Sequence, residues 1–143
     1  MIYSIGYQKR KLSEIVSVME EKDIDLLVDV RSVPYSRKPE FNRNRLQEAL
    51  GSRYEWMGEV LGGKKGPAKE IGIKKLLFLH GQGRRLLLMC MEHHPCDCHR
   101  LYDISRRLAK RGVEVVHLFD GHEQTTDELS EEACNERKKD RNR

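Results

Sequence analysis

Apolar residues follow two rhythms along this chain, and their alternation predicts strands and helices in turn. Ile2 to Ile5 reads as a strand stopped by Gly6, and Leu12, Ile15, Val16 and Met19 then share one helical face. "DLLVDV" (25–30) is a short continuous apolar run, as a buried strand requires, and Arg31 follows where it should finish. "SVPYSRKPEFN" (32–42) has two prolines and no period, so it reads as a loop. "RNRLQEALG" (43–51) is a short helix ending at Gly51. "YEWMGEV" (54–60) is a candidate strand, and "LGGKKGPAKEIG" (61–72), with five glycines or prolines, reads as a loop. "IKKLLFLH" (73–80) is helical, and "RRLLLMCM" (84–91) is the strongest strand signal. An amphipathic helix over 99–112 buries Leu101, Ile104 and Leu108, Gly112 stops it, and 113–119 forms a last strand.

Strands alternating with helices predict a single small α/β domain, with a parallel or mixed sheet and helices on both faces. The predicted domain spans 1–121. Residues 122–143 are poor in apolar positions and alternate in charge, and read as a charged tail, frayed or helical. With aromatics at only 6% of 143 residues, the core must rest on Leu, Ile and Val. No apolar run is long enough to cross a bilayer, and the N-terminus is apolar first and basic after, the reverse of a secretory signal. The expectation is a cytoplasmic protein without membrane contact. Charge adds a weak hint about partners. The tail holds seven acidic and five basic residues, net −2, so the rest carries +6 of the overall +4. Such an excess suits a phosphate-bearing small molecule or nucleic acid.

Ligands of open α/β sheets sit beyond the carboxyl ends of the parallel strands. Three polar segments fall there: "GYQKRK", "RSVPYSRKPEFN" and "EHHPCDCHR". Their convergence would gather Tyr7, Arg31, Ser36, Arg37, Asn42, Glu92, Cys98, His99 and Arg100 at one cleft. Several chemistries compete for it. Cys98 stands where the last helix begins, where free N–H groups favour a thiolate, with His99 and Arg100 beside it and Glu92 as proton carrier. On that reading Cys98, Glu92 and His99 are catalytic, and Cys90, inside an apolar strand, is buried and inert. The plain alternative packs Cys98 as a small hydrophobe while Arg100 pins the loop to Asp29. A second reading places zinc at the 93–99 cluster, where His93, His94, Cys96, Cys98 and His99 supply donors, although no second knuckle exists and no metal is required. A third makes an anion pocket of Arg31, Arg37 and Arg100. Ser36 and Asn42 would supply hydrogen bonds, Tyr7 or Phe41 would stack on a ring, and Gly62 and Gly63 would add backbone N–H donors with Lys64 or Lys65. Its plain alternative has Asp29 and Glu92 neutralising the arginines. A fourth assigns the basic stripe Arg106, Arg107, Lys110 and Arg111 to nucleic acid, against the simpler view of a solvated helix face. Clustered cysteines in a reducing compartment point to chemistry or metal rather than to cross-links.

"SIGY", "DVRSVPYSRKPEFN", "LGG" and "LMCMEHHPCDCHR", in this order and spacing, resemble the family catalogued as domain of unknown function 488. The resemblance implies a small α/β domain whose blocks line one cleft. It falls here on Gly6, Asp29, Arg31, Ser36, Asn42, Gly62, Gly63, Cys90, Glu92, Cys98, His99 and Arg100. The family has a histidine after the "IG" where this chain has Tyr7. The resemblance supplies no reaction. Two function classes therefore stand: a small enzyme on a phosphorylated, nucleotide-like or nucleic-acid substrate, a candidate hydrolase or transferase with a cysteine nucleophile, and a non-catalytic binder that sequesters a nucleotide or docks on nucleic acid.

Overall fold

The computed structural model describes residues 1–63 and 67–141. One mixed six-stranded sheet runs through it in the order β3-β2-β4-β1-β5-β6. The strands are β1 (Ile2–Gly6), β2 (Leu26–Asp29), β3 (Tyr54–Trp56), β4 (Leu86–Cys90), β5 (Val115–Phe119) and β6 (His122–Thr125). All neighbours are parallel except β5 and β6, which form an antiparallel hairpin. The helices are α1 (Leu12–Glu21), α2 (Arg43–Leu50), α3 (Gly58–Leu61), α4 (Pro67–Gly81), α5 (Arg106–Ala109) and α6 (Glu131–Arg141).

Both faces of the sheet are covered, as alternation along each strand requires. Tyr3, Ile5, Leu27, Leu87 and Met89 face Ile15 and Met19 of α1 and Leu46 and Leu50 of α2. Ile2, Leu26, Val28, Leu86 and Leu88 face Leu61 of α3, Ile73 and Leu76 of α4, and Ile104 and Leu108 of the segment between β4 and β5. The expected α/β class therefore holds.

Several local expectations are corrected. The strand expected over 54–60 ends at Trp56, and Gly58–Leu61 is helical. A side chain at Gly58 would overlap the Arg31 carbonyl oxygen, so only glycine lets this turn pack under β2. Helix α4 covers Pro67–Gly81 and so takes in much of the expected loop, and proline is tolerated in a first helical turn, which needs no N–H donor. The helix expected from residue 99 opens as a π-helix, Arg100–Ser105, and continues as α5. Ser105 Oγ donates to the Arg100 carbonyl at 2.6 Å within that wide turn.

Residues 122–141 are joined to the domain rather than trailing from it. His122–Thr125 adds the edge strand β6. Cys134 of α6 is bonded to Cys96, with 5.5 Å between their Cα atoms. Both cysteines are buried with Leu101, Phe119 and Leu129, a small apolar cluster that gives α6 a packed face. Arg137 and Arg141 of α6 also pair with Asp97. The expectation that the clustered cysteines avoid cross-links fails for Cys96, because the fold returns the chain end to the turn at Pro95.

A polar network crosses the buried middle of the sheet. His117 of β5 meets Ser4 Oγ of β1 through Nδ1, and its Nε2 lies 3.1 Å from Thr126 Oγ1. Burial, reinforced by the charge of Arg100, holds the His117 imidazole down to about 3. An unfolded histidine titrates near 6.5. Below that pH the unfolded chain binds a proton that the folded chain refuses, so the stabilising effect is complete above about 6.5 and fades as pH falls toward 3. His94, held down to about 4 by burial and Arg137, acts with the same sign. Urea midpoints measured from pH 7.5 to pH 4 should fall, and His117→Gln should flatten part of that fall. An unchanged slope in the variant would assign the acid sensitivity to other groups.

Candidate functional site

The carboxyl ends of β2, β4 and β1 lie side by side in that order, so their exit loops must meet. Gly6 stands opposite Cys90, and Asp29 opposite Met89. The ladder continues past the strands: Tyr7 N–H donates to the Cys90 carbonyl, Gln8 N–H to that of Met91, and Val30 N–H to that of Met89. Between these ends lies a cavity of about 330 Å³, whose walls include Tyr7, Arg31, Gly63, Cys90, Glu92 and His99.

Asp29 is the charged pivot of one wall. Its two oxygens accept from Arg31 Nε at 2.8 Å and Arg31 Nη2 at 2.7 Å, and Oδ2 also accepts the Tyr54 hydroxyl at 2.6 Å. Arg31 Nη1 donates to the Tyr7 hydroxyl at 3.1 Å. Tyr7 in turn stacks on Phe41, ring centroids 4.3 Å apart. These contacts use most of the Arg31 donors inside the protein. Tyr7 packs against Phe41, the chain's own ring, rather than standing free as a platform.

The 32–42 loop is held by its own side chains. Asn42 Oδ1 accepts the Ser36 N–H at 2.6 Å, Ser36 Oγ accepts the Lys38 N–H at 3.0 Å, and Lys38 Nζ reaches the carbonyls of Tyr7 and Arg10. Residues 11–78 match a family model described as Domain of unknown function DUF488. The resemblance thus covers Asp29, Arg31, this loop and the Gly62–Gly63 pair, and ends before Glu92, Cys98 and His99. No curated protein matches the chain, and no solved structure matches it.

Beyond the DUF488-like stretch, Arg100 begins the π-helix with its side chain fully buried. Its guanidinium donates to Ser4 Oγ at 3.1 Å, to the Glu92 carbonyl at 2.8 Å and to the His93 carbonyl at 3.3 Å. All three partners are neutral, and they fix the exit loop of β4. Arg100 is therefore a pin for that loop, through its carbonyls rather than through Asp29. Arg37 is exposed and does not line the cavity. The three-arginine anion pocket expected from the sequence is not assembled, because two of its guanidinium groups serve the fold and the third faces away.

The remaining chemistry gathers at the end of β4. Sγ of Cys90, Sγ of Cys98 and a ring nitrogen of His99 all lie within 4.8 Å of one another. His99 Nδ1 is 3.8 Å from each sulfur, and Nε2 is 3.0 Å from the Val30 carbonyl, to which it donates. Cys98 is held well below the ordinary thiol range. The neighbouring Cys90 thiol supplies the largest effect, burial opposes it, and His99 and Arg100 add to it. The same pairing and burial push Cys90 up. Burial pulls His99 down, but its hydrogen bond to Cys98 and the charge there raise it overall. Glu92 is raised by burial and by the charge at Cys98, and its Oε2 is buried with no hydrogen-bond partner among the described residues.

Both free thiols are buried. Cys98, 2% exposed, and Cys90, 4% exposed, both pack in the core, and of the two only Cys90 also lines the cavity. The cavity thus reaches the cysteine expected to be inert and not the one expected to be the nucleophile. Period-two spacing of Cys90 and Glu92 at a strand end was the signal that places both on one side. The donors expected at 93–99 are largely committed elsewhere. His93 pairs with Asp120 at 2.6 Å, His94 accepts the Cys96 N–H at 3.1 Å, and Cys96 is in the disulfide. Lys64 and Lys65 lie outside the described residues. Gly63 N–H donates to Ser32 Oγ at 2.9 Å, and buried Lys69 ties down the carbonyls of Leu61 and Gly62.

Sequence reasoning missed a second feature. A groove of about 680 Å³ runs between the 32–35 loop and α2, with Arg43, Arg45, Asn44 and Trp56 among its walls. Arg43 lies over the Trp56 ring at 4.5 Å. The groove and the cavity share Ser32, Val33 and Tyr35, so they are neighbours on one surface. No local pattern announces Arg43 and Trp56 as partners, since β3 brings them together only through the fold.

Proposed function

We propose that this chain is a small hydrolytic enzyme acting on a phosphorylated or nucleotide-like substrate at the cavity beside Glu92. The observation that carries the reading is the Glu92 carboxyl at the wall of an open cavity, with its Oε2 buried and without a hydrogen-bond partner among the described residues. A buried polar atom without a partner costs on the order of 1–3 kcal/mol, and such groups persist mostly where they serve chemistry or ligand. Glu92 would take a proton from a water, whose oxygen bonds to the electrophilic atom of the substrate. The bond to the leaving group breaks, and that group takes the proton back from Glu92. Cys98 is buried and does not line the cavity, which speaks against direct attack by its sulfur and favours hydrolysis by water over the covalent route.

Phosphate recognition rests on Arg43 and Arg45 in the adjoining groove, in place of Arg37 and Arg100. The same groove supports the competing reading of a nucleotide or nucleic-acid binder, because guanidinium, amide and indole groups suit phosphates and bases. A cytoplasmic setting fits the two unpaired thiols, which a reducing compartment preserves. The Cys96–Cys134 bridge is the feature that argues against it. No helix among the described residues is long and apolar enough to cross a membrane.

The test is a screen of nucleoside phosphates and short single strands, following turnover by phosphorus NMR and binding by calorimetry. Glu92→Gln should lower turnover by at least about a hundredfold while binding stays within about twofold. Arg45→Ala should weaken binding. Turnover undiminished in Glu92→Gln would refute the enzyme assignment, and binding without any turnover in the parent chain would favour the binder.

A further inference from the structure

We infer that Cys90, Cys98 and His99 form a zinc site whose fourth position opens on the cavity beside Glu92. The inference deepens the hydrolytic reading and rests on it for the role of Glu92, but the metal site stands on its own geometry. Two thiolates and one imidazole make a three-ligand set of the kind that keeps one position open. The 3.8 Å from His99 Nδ1 to each sulfur is close to a tetrahedral edge. With Zn–S about 2.3 Å and Zn–N about 2.0–2.1 Å, that edge is ~3.6 Å, so each nitrogen–sulfur pair needs to close by only a few tenths of an ångström, and the two sulfurs lie within 4.8 Å of each other.

The second layer is also in place. His99 Nε2 donates to the Val30 carbonyl, which fixes the ring so that the Nδ1 lone pair faces the sulfurs. Two rigid attachments hold the ligands: Cys90 closes β4, and Cys98 and His99 lead directly into the π-helix pinned by Arg100. Soft sulfur donors select zinc over magnesium or calcium. The site differs from the one expected at 93–99. It draws in Cys90 and leaves out His93, His94 and Cys96: His93 Nε2 pairs with Asp120, His94 Nδ1 accepts the Cys96 N–H, and Cys96 is in the disulfide. Cys90, His99 and Glu92 all face the cavity. A water in the open position would lose one proton to Glu92 Oε2, leaving a zinc-bound hydroxide, the nucleophile that the hydrolytic reading needs.

The experiment is native mass spectrometry of the full chain, purified under reducing conditions with zinc supplied, followed by cobalt substitution. One zinc per chain is expected, lost on chelation. The cobalt form should show tetrahedral ligand-field bands and thiolate-to-cobalt charge transfer. Cys90→Ser, Cys98→Ser and His99→Gln should each weaken zinc binding by at least about tenfold, while His93→Gln and His94→Gln should not. If the core variant Cys98→Ser fails to fold, the cobalt spectrum of the unaltered chain still reports thiolate ligation. A chain that takes up no zinc, or one whose cobalt form lacks thiolate charge transfer, overturns the site. Zinc held with full affinity by Cys90→Ser and His99→Gln overturns it too. Failure of the hydrolytic reading looks different: zinc binds as expected, yet no phosphorylated compound turns over.

Discussion

Asp29→Ala is expected to destabilise the chain by about 3–5 kcal/mol, because it strands a buried guanidinium. Asp29 is fully buried, and Arg31 is nearly so. The carboxylate accepts two hydrogen bonds from that guanidinium, one from the Arg31 backbone N–H and one from Tyr54. Removing it leaves Arg31 with the Tyr7 hydroxyl as its remaining side-chain partner in the wall of the cavity. The loss should exceed that of Arg31→Leu, which removes the cation but leaves a carboxylate still bonded by Tyr54. The double change Asp29→Ala with Arg31→Leu should recover part of the stability, as replacing both members of a buried pair commonly does. Chemical denaturation of the four proteins measures the cycle. A cost below about 1 kcal/mol for Asp29→Ala would mean that water reaches the pair and that the wall is softer than its burial implies.

Gly6→Ala should be the most damaging single methyl group for the site itself. A Cβ at position 6 would overlap the carbonyl oxygen of Glu92 and press on the Cα of His93. Both obstacles are backbone, so no side chain can swing aside. The Glu92 carbonyl is also the closest acceptor of the Arg100 guanidinium, at 2.8 Å. Displacing it loosens the pin and moves the Glu92 carboxyl away from Cys90 and His99. The expected cost is about 1–3 kcal/mol of stability, the range for overpacking a tight interior. Metal uptake and any turnover should fall with it. Gly81→Ala, at the end of α4 where a Cβ meets nothing, is the control and should change stability by less than about 0.5 kcal/mol. If Gly6→Ala matches the control in denaturation and zinc content, the close approach of β1 to the β4 exit is not what holds the site.

The chain's periodicities were enough to foresee an α/β domain, since apolar runs and helical faces are local properties that burial enforces residue by residue. The strand ends were legible too, and with them the meeting of Tyr7, Arg31, Glu92 and His99, because parallel strands must bring their carboxyl ends to one edge. What each side chain does there was not legible. Arg31, Arg37 and Arg100 are alike in sequence, yet one is neutralised by Asp29, one faces solvent and one pins carbonyls. That choice depends on which acceptors lie within about 3 Å in space, a matter of tertiary packing. The same holds for the thiols. Clustering suggested that Cys96, Cys98 and the neighbouring histidines act together, but α6 returns to claim Cys96, and β4 delivers Cys90 to Cys98 and His99 instead. Sequence distance ranks partners along the chain, whereas a bond or a ligand set is decided by distances of a few ångströms that only the folded sheet creates.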